Sequence, residues 1–308
     1  MILSVSRRTD IPAYYAAWFM NRLRDGYVLT QNPMNPKQIS RVSLSPDVVD
    51  CIVFWTKDPQ PMFEYLNTLD AMGYPYYFQF TLTPYDNRIE RYLRSKQEIE
   101  TTFRELSKRL GKNRVVWRYD PILYAEHIDL SYHQEQLRRL CTLLEGYTDM
   151  VVISFADLYR KLGNPLFTAP PQAERDMLAV YIGETAPQYG IRPVVCCEAE
   201  DYTRYGIGSS SCIDKARIES VIGSPICVRR DKNQRSGCGC VESIDVGIYH
   251  TCPNGCIYCY ANDSYEKARN RYFRHDPSSP LLYGEIPPDA VIREKTSVSL
   301  RETQLRIL

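Results

Sequence analysis

The chain has 308 residues, 44% of them hydrophobic and 24% charged, with 38 Lys plus Arg against 37 Asp plus Glu and a formal net charge of +1. These are the proportions of an ordinary globular protein long enough to bury a large core, and the even charge argues against a chain whose main task is to coat nucleic acid or an anionic membrane. The longest apolar run, around Val48 to Trp55, is broken by Asp50 and falls short of the ~18 residues that a spanning helix needs. The opening MILSVSRRTD has too short an apolar stretch for a signal peptide and carries Arg7 and Arg8 after it rather than before it. The expectation is a cytoplasmic protein with no membrane partner.

In chain order, the pattern predicts a strand at Ile2–Val5 and a helix over Ala13–Arg24. A strand at Asp50–Trp55 precedes a helix over Met62–Met72, and a strand at Tyr76–Leu82 precedes one over Ile89–Leu110. Further strands are expected at Arg114–Trp117, Met150–Phe155, Arg192–Cys197 and Ser243–Tyr249, with helices over Gln134–Leu144, Ala173–Tyr189 and Ser264–Phe273. Gly26, Gly73, Gly111 and Gly190 stand where helix C-caps are needed. Strands about 35 residues apart with a helix in each interval mean βαβ units and a parallel sheet. So many such units favour a βα barrel or partial barrel within the α/β class over a doubly wound sheet. The organisation expected is βα repeats over residues 1–205, a Cys-rich segment over 206–275 that completes the barrel, and a C-terminal extension over 276–308.

The strand ends are polar: Ser6-Arg7-Arg8-Thr9-Asp10, Thr56-Lys57-Asp58-Pro59, Thr81-Leu82-Thr83-Pro84, Arg118-Tyr119-Asp120-Pro121, Asp157 and Glu198. In parallel α/β folds ligands bind at these carboxyl ends. Taken singly, each position reads as a cap for the next helix. Taken together, with the doubled arginine and Lys57, they read as the floor of an active site.

Nine of the eleven cysteines fall between Cys196 and Cys259. Clustered thiols in a reducing compartment point to metal binding or catalysis. The sharpest motif is Cys252-Pro-Asn-Gly-Cys256-Ile-Tyr258-Cys259, a CxxxCxxC loop between an expected strand and an expected helix. Three thiolates hold three irons of a 4Fe–4S cluster and leave the fourth iron open, because full protein ligation takes four. Pro253 and Gly255 suit the tight loop that this requires, and Tyr258 can pack over a bound heterocycle. Competing readings are a zinc site with His250 or His275 as fourth ligand and thiols that merely fill core volume. A second set, Cys197, Cys212, Cys238 and Cys240, offers four thiolates for a further 4Fe–4S cluster or for zinc. Cys196 and Cys227 read as core-filling residues. Two basic stretches, Arg229–Arg235 and Arg269–His275, keep nucleic acid open as a substrate class.

The CxxxCxxC loop, with an aromatic before its third cysteine, resembles the cluster motif of the radical S-adenosylmethionine superfamily. The chain as a whole, through SRRTD, VFWTKDP and CGCVESIDVGIYHTCPNGCIYCYAND, resembles the DUF1848 family of radical-SAM-like proteins. The resemblance implies a full or partial βα barrel whose open iron chelates S-adenosylmethionine. It also implies reductive cleavage to a 5′-deoxyadenosyl radical, a reductant such as flavodoxin or ferredoxin, and an unknown substrate: a small molecule first, a nucleic acid or protein second. The superfamily carries this motif after its first barrel strand, whereas here it lies near the C-terminus. The order is therefore expected to be circularly permuted, with Ser243–Tyr249 beside Ile2–Val5. That arrangement brings Arg7, Arg8 and Asp10 to the S-adenosylmethionine site, with a guanidinium on the carboxylate and Asp10 on the ribose hydroxyls. The alternatives are a non-catalytic iron–sulfur protein for electron transfer or sensing, and a zinc-stabilised nucleic-acid-binding module.

Overall fold

A computed structural model of the protein describes residues 1–157, 166–235 and 237–302. In chain order its strands are β1 (Ile2–Val5), β2 (Tyr27–Asn32), β3 (Asn35–Ser43), β4 (Cys51–Thr56), β5 (Tyr76–Thr81), β6 (Val115–Ile122), β7 (Met150–Phe155), β8 (Arg192–Val195), β9 (Gly208–Ser209), β10 (Ile244–Asp245) and β11 (Val291–Lys295). The helices are α1 (Ile11–Tyr14), α2 (Ala16–Asp25), α3 (Leu66–Ala71), α4 (Lys96–Leu110), α5 (Leu130–Leu144), α6 (Gln172–Thr185), α7 (Lys215–Ile222) and α8 (Tyr265–Phe273).

Eight strands form one sheet in the order β10-β1-β4-β5-β6-β7-β8-β9, and every pair is parallel. From β1 to β9 the order never reverses. Because parallel crossovers are right-handed, an order without reversal keeps the connecting helices on one face of the sheet. The side chains bear this out. Ile52, Phe54, Phe78, Trp117 and Ile153 pack with Trp18, Phe19, Leu106, Leu140 and Ile182 from α2, α4, α5 and α6. The alternate residues Cys51, Val53, Tyr77, Val116 and Val152 face the other way, against Ile213, Ile218, Cys240 and Val241 of the Cys-rich segment. The period-2 alternation of each strand thus serves two different cores. A second sheet, β11-β3-β2, lies outside this layer system.

β1 and β7 keep the bounds read from the sequence, β4, β5 and β8 shift by a residue or two, β6 runs on to Ile122, and the strand expected at Ser243–Tyr249 shortens to Ile244–Asp245. The expected helix over Ile89–Leu110 begins only at Lys96, where Ser95 and Glu98 make a capping box. The hairpin β2–β3 and helix α7 are not among the sequence expectations. No helix among the described residues is long and apolar enough to cross a membrane.

His133 of α5 is fully buried, at 0% exposure. Its Nε2–H donates to the Leu123 carbonyl at 2.9 Å, so Nδ1 is the acceptor for the Tyr119 hydroxyl at 2.8 Å. Rings of Tyr85, Tyr124 and Tyr132 enclose it. Burial lowers the imidazole from 6.5 to about 4, although the Leu123 carbonyl and Asp129 favour its charge. Between those values the unfolded chain binds the proton that the folded chain refuses, so stability falls as the pH drops through this window. The full effect is on the order of 3 kcal/mol. Urea titrations at pH 7.0 and 4.5 should show the loss in the parent protein. A His133→Gln variant should be less stable at pH 7.0 yet show a smaller drop; an equal drop in both would remove His133 as the acid-sensitive group.

Candidate metal centre at the carboxyl edge of the sheet

The CxxxCxxC loop follows β10, which pairs with β1 in the register Leu3↔Ile244 and Ser4↔Asp245. One carboxylate fastens this junction. Asp245 accepts hydrogen bonds from the hydroxyls of Ser4 (2.8 Å) and Ser6 (2.6 Å) and from the amides of Arg7 (2.9 Å) and Gly247 (3.0 Å). The chain then passes so close to Ser6 that a Cβ on Gly247 would lie 1.9 Å from the Ser6 hydroxyl oxygen.

The loop itself is pinned from several sides. Tyr14 donates to the Asn254 side-chain oxygen at 2.6 Å, and Tyr15 donates to the Thr251 carbonyl at 2.6 Å. The Ile257 amide bonds the Ile89 carbonyl at 3.0 Å and the Tyr92 amide bonds the Asn254 carbonyl at 3.1 Å. These contacts explain why residues 89–92 do not join α4: they form a ledge under the cysteines. Gly255 adopts φ +67°, and a Cβ there would meet the Tyr92 ring at 2.4 Å, so only glycine suits the position.

The three thiols are partly buried. Burial raises Cys256 to about 12 and lifts Cys252 well above the usual thiol range, so a metal that takes them as thiolates must displace their protons. Among the described residues, one group of three His, Cys, Asp or Glu ligand atoms lies within 4.8 Å of one another, and it is Cys196, Cys212 and Cys240. Cys252, Cys256 and Cys259 do not form such a group. The histidines weighed as a fourth ligand are committed elsewhere. The Asp263 amide donates to His250 Nδ1 at 3.0 Å, and the His275 ring bonds the Leu282 carbonyl at 2.7 Å.

Charge around the loop is arranged in a buried cluster. Glu90, 2% exposed, accepts from Lys57 Nζ and the Thr83 hydroxyl, both at 2.7 Å, and from Lys96 and the Tyr258 hydroxyl. Burial alone would raise its carboxyl, but Lys57 and Lys96 outweigh that and hold it at about 2. Tyr258 is therefore anchored through its hydroxyl, with Tyr85 against its ring at 6.3 Å and Lys57 Nζ 5.4 Å from its centroid. Asp10 is buried at the start of α1. It accepts from the Ala13 amide (3.1 Å), the Lys57 amide (2.8 Å) and Asn254 (3.3 Å), and burial lifts it to about 6.

The two arginines differ. Arg7 lies 3.8 Å from Asp245 and 3.9 Å from Asp231 and over the Trp55 ring, so its charge is already answered. Arg8 donates to the Gly247 carbonyl at 3.3 Å and lies 5.2 Å from the Tyr249 ring centroid, and among the described residues it has no carboxylate partner. The buried hydroxyl of Thr9, next in the chain, has no hydrogen-bond partner. The free valence of this site therefore gathers at Arg8 and Thr9.

The second cysteine set is arranged differently from the sequence expectation. Cys196, read there as a core residue, joins Cys212 and Cys240, whereas Cys197 and Cys238 are not in the group of three. The reason is strand alternation: Cys196 continues the face of Val194, which belongs to the core shared with Cys212 and Cys240, while Val195 belongs to the helix side. Cys197 then turns at φ +60°. Cys227 is exposed. Arg118, which follows an expected strand and stands among the polar residues of the expected active-site floor, is buried between this group and Asp120, and its guanidinium lies 5.3 Å from the Trp55 ring centroid. The basic stretches are partly consumed internally, Arg235 by Asp157 at 2.7 Å and Arg271 by the Tyr249 carbonyl at 3.0 Å.

A family model described as "Domain of unknown function (DUF1848)" matches residues 2–261, which takes in every cysteine of the chain. No curated protein matches.

The close approach at Gly247 gives a direct test of the junction. Gly247→Ala should cost about 1–3 kcal/mol through overpacking and lower iron uptake. Ser6→Gly in the same chain removes the clashing atoms together with one of the four hydrogen bonds to Asp245, and should recover the uptake in part. If the single variant takes up iron like the parent, the junction does not hold the loop.

Proposed function

The chain belongs to the DUF1848 family, and from that premise and the cysteine loop we propose that it is an iron–sulfur enzyme of the radical S-adenosylmethionine type. Cys252, Cys256 and Cys259 are the proposed ligands of a 4Fe–4S cluster with one open iron. When reduced, such a cluster cleaves the sulfonium of S-adenosylmethionine and so supplies a 5′-deoxyadenosyl radical. The observation that carries the reading is the loop itself: three thiols at CxxxCxxC spacing in a segment fastened to the carboxyl edge of a parallel sheet. The pairing of β10 with β1 supports reading the eight-stranded sheet as a partial barrel in permuted order, with the cluster-bearing strand placed first in space and late in sequence.

The roles proposed for the protein's side chains follow from their partners. Arg8, the arginine without a carboxylate, binds the carboxylate of S-adenosylmethionine by charge-assisted hydrogen bonds. Arg7 is a positioning residue that holds Ser243 and Asp245. Asp10 shapes the loop through Asn254 and the Lys57 amide, which leaves it little capacity for ribose hydroxyls. Tyr258, fixed by Glu90, forms a wall rather than a mobile lid. On the inner face, Trp55, Gln79, Arg118, Asp120 and Ser154 line the substrate side, where their fixed dipoles would replace water. The reductant is a low-potential protein of the flavodoxin or ferredoxin kind, and a reducing compartment such as the cytoplasm keeps the thiols available.

Anaerobically reconstituted protein should give a reduced-cluster electron paramagnetic resonance signal that changes when S-adenosylmethionine is added, and Cys256→Ala should abolish it. Arg8→Ala should keep the cluster and weaken S-adenosylmethionine binding by on the order of tenfold, while Arg7→Ala should lose cluster and binding together. A signal that ignores S-adenosylmethionine would sink the proposal and leave an electron carrier.

A further inference from the structure

We propose that Cys196, Cys212 and Cys240 form a second, mononuclear site that takes a zinc ion through three thiolates and clasps the two open edges of the eight-stranded sheet. The inference does not depend on what the Cys252 loop binds. The three sulfurs come from three segments: Cys196 follows β8, Cys212 follows the edge strand β9, and Cys240 precedes the opposite edge strand β10. All three lie within 4.8 Å of one another, and Cys196 and Cys212 are 2.8 Å apart. Zinc binds thiolate sulfur at about 2.3 Å, so tetrahedral ligands sit about 3.8 Å from each other. The trio matches that spacing once its closest pair opens slightly. It is too tight for a cubane, whose ligating sulfurs are held apart by separate irons.

The surroundings are built for negative sulfur. Arg118 Nη1 donates to Cys212 Sγ at 3.1 Å, and the Ile213 amide donates to Cys240 Sγ at 3.4 Å. Hydrogen bonds of this kind orient metal ligands and stabilise their charge. Three thiolates and one zinc leave a net charge of minus one, which the buried Arg118 guanidinium offsets. The ligand backbones are themselves fixed: Gln79 Nε2 donates to the Cys212 carbonyl at 2.7 Å and Tyr77 donates to it at 3.2 Å, and the Val241 amide bonds the Ile213 carbonyl at 3.1 Å. Zinc fits better than iron–sulfur because one small tetrahedral ion satisfies three converging thiolates. Sulfur ligands also disfavour magnesium and calcium, which take oxygen. The ion would hold the strand that carries the CxxxCxxC loop in its place beside β1.

The full-length chain with Cys252, Cys256 and Cys259 all changed to Ala, prepared in zinc-containing medium, isolates this site from any iron at the loop. Metal analysis should give about one zinc per chain, and Cys196→Ser or Cys240→Ser should cut that at least tenfold. Cys197→Ser and Cys227→Ser should retain it. In case a ligand variant misfolds, the parent provides a second reading: in the zinc-loaded protein Cys196, Cys212 and Cys240 should resist alkylation, and a chelator should expose all three, while Cys227 reacts throughout. About four irons with sulfide in the full-length chain lacking the three loop cysteines, zinc lost with Cys197→Ser, or a metal-free protein with Cys196 and Cys212 joined as a disulfide would each overturn the proposal.

Discussion

One carboxylate ties the two ends of the chain together. Asp245 receives four hydrogen bonds, from Ser4, Ser6, Arg7 and Gly247, and so locks the short strand β10 alongside β1. Everything at the candidate site is positioned from that lock. β10 delivers the cysteine loop, β1 delivers Arg7, Arg8 and Asp10, and β4, the next strand, delivers Lys57. A two-residue strand contributes few ladder bonds of its own. The side-chain network around a half-buried acid therefore supplies the register that a longer strand would have supplied by its backbone.

The same economy appears on the two faces of the sheet. The helix side is mostly apolar, with Phe54, Phe78, Trp117 and Ile153 packed on the helices. The other side grades from the apolar layer of Ile2, Val53, Val116 and Val194 to the polar layer of Ser4, Trp55, Gln79, Arg118 and Ser154 nearer the carboxyl ends. The Cys-rich segment fills the apolar layer, and the polar layer is left beside both cysteine sites. Buried ionic groups are costly unless fully answered. Here each has partners: Glu90 has Lys57 and Lys96, and Arg118 has Asp120 and Cys212.

Much of this was legible in the sequence. The apolar strands β1, β4, β5 and β7 announced themselves by β-branched and aromatic runs, because a strand buried on both faces leaves no polar alternation to confuse it. The pairing of β10 with β1 was implied by the resemblance to the radical S-adenosylmethionine superfamily, which carries such a cysteine motif after its first barrel strand. What stayed hidden has identifiable causes. The hairpin β2–β3 carries an exposed stretch at 35–38 and reads as loop. The Ser95–Glu98 capping box was present as a signal that α4 starts late, but the helical spacing upstream masked it. Cys196 could have been found by counting alternation from Val194, since period 2 puts those two side chains on one face. Partners of Glu90 could not: Lys57, Lys96 and Tyr258 meet it from distant segments, and only the fold brings them together.

The account turns on an iron in the Cys252 loop that the protein leaves open. Mössbauer spectroscopy of the zinc-loaded protein reconstituted with iron-57 reads that iron directly, because zinc at Cys196, Cys212 and Cys240 gives no signal and keeps iron out of that site. On adding S-adenosylmethionine, one iron in about four should separate from the rest with a higher coordination number. Four irons that remain alike with and without S-adenosylmethionine would contradict an open coordination site and the chemistry built on it.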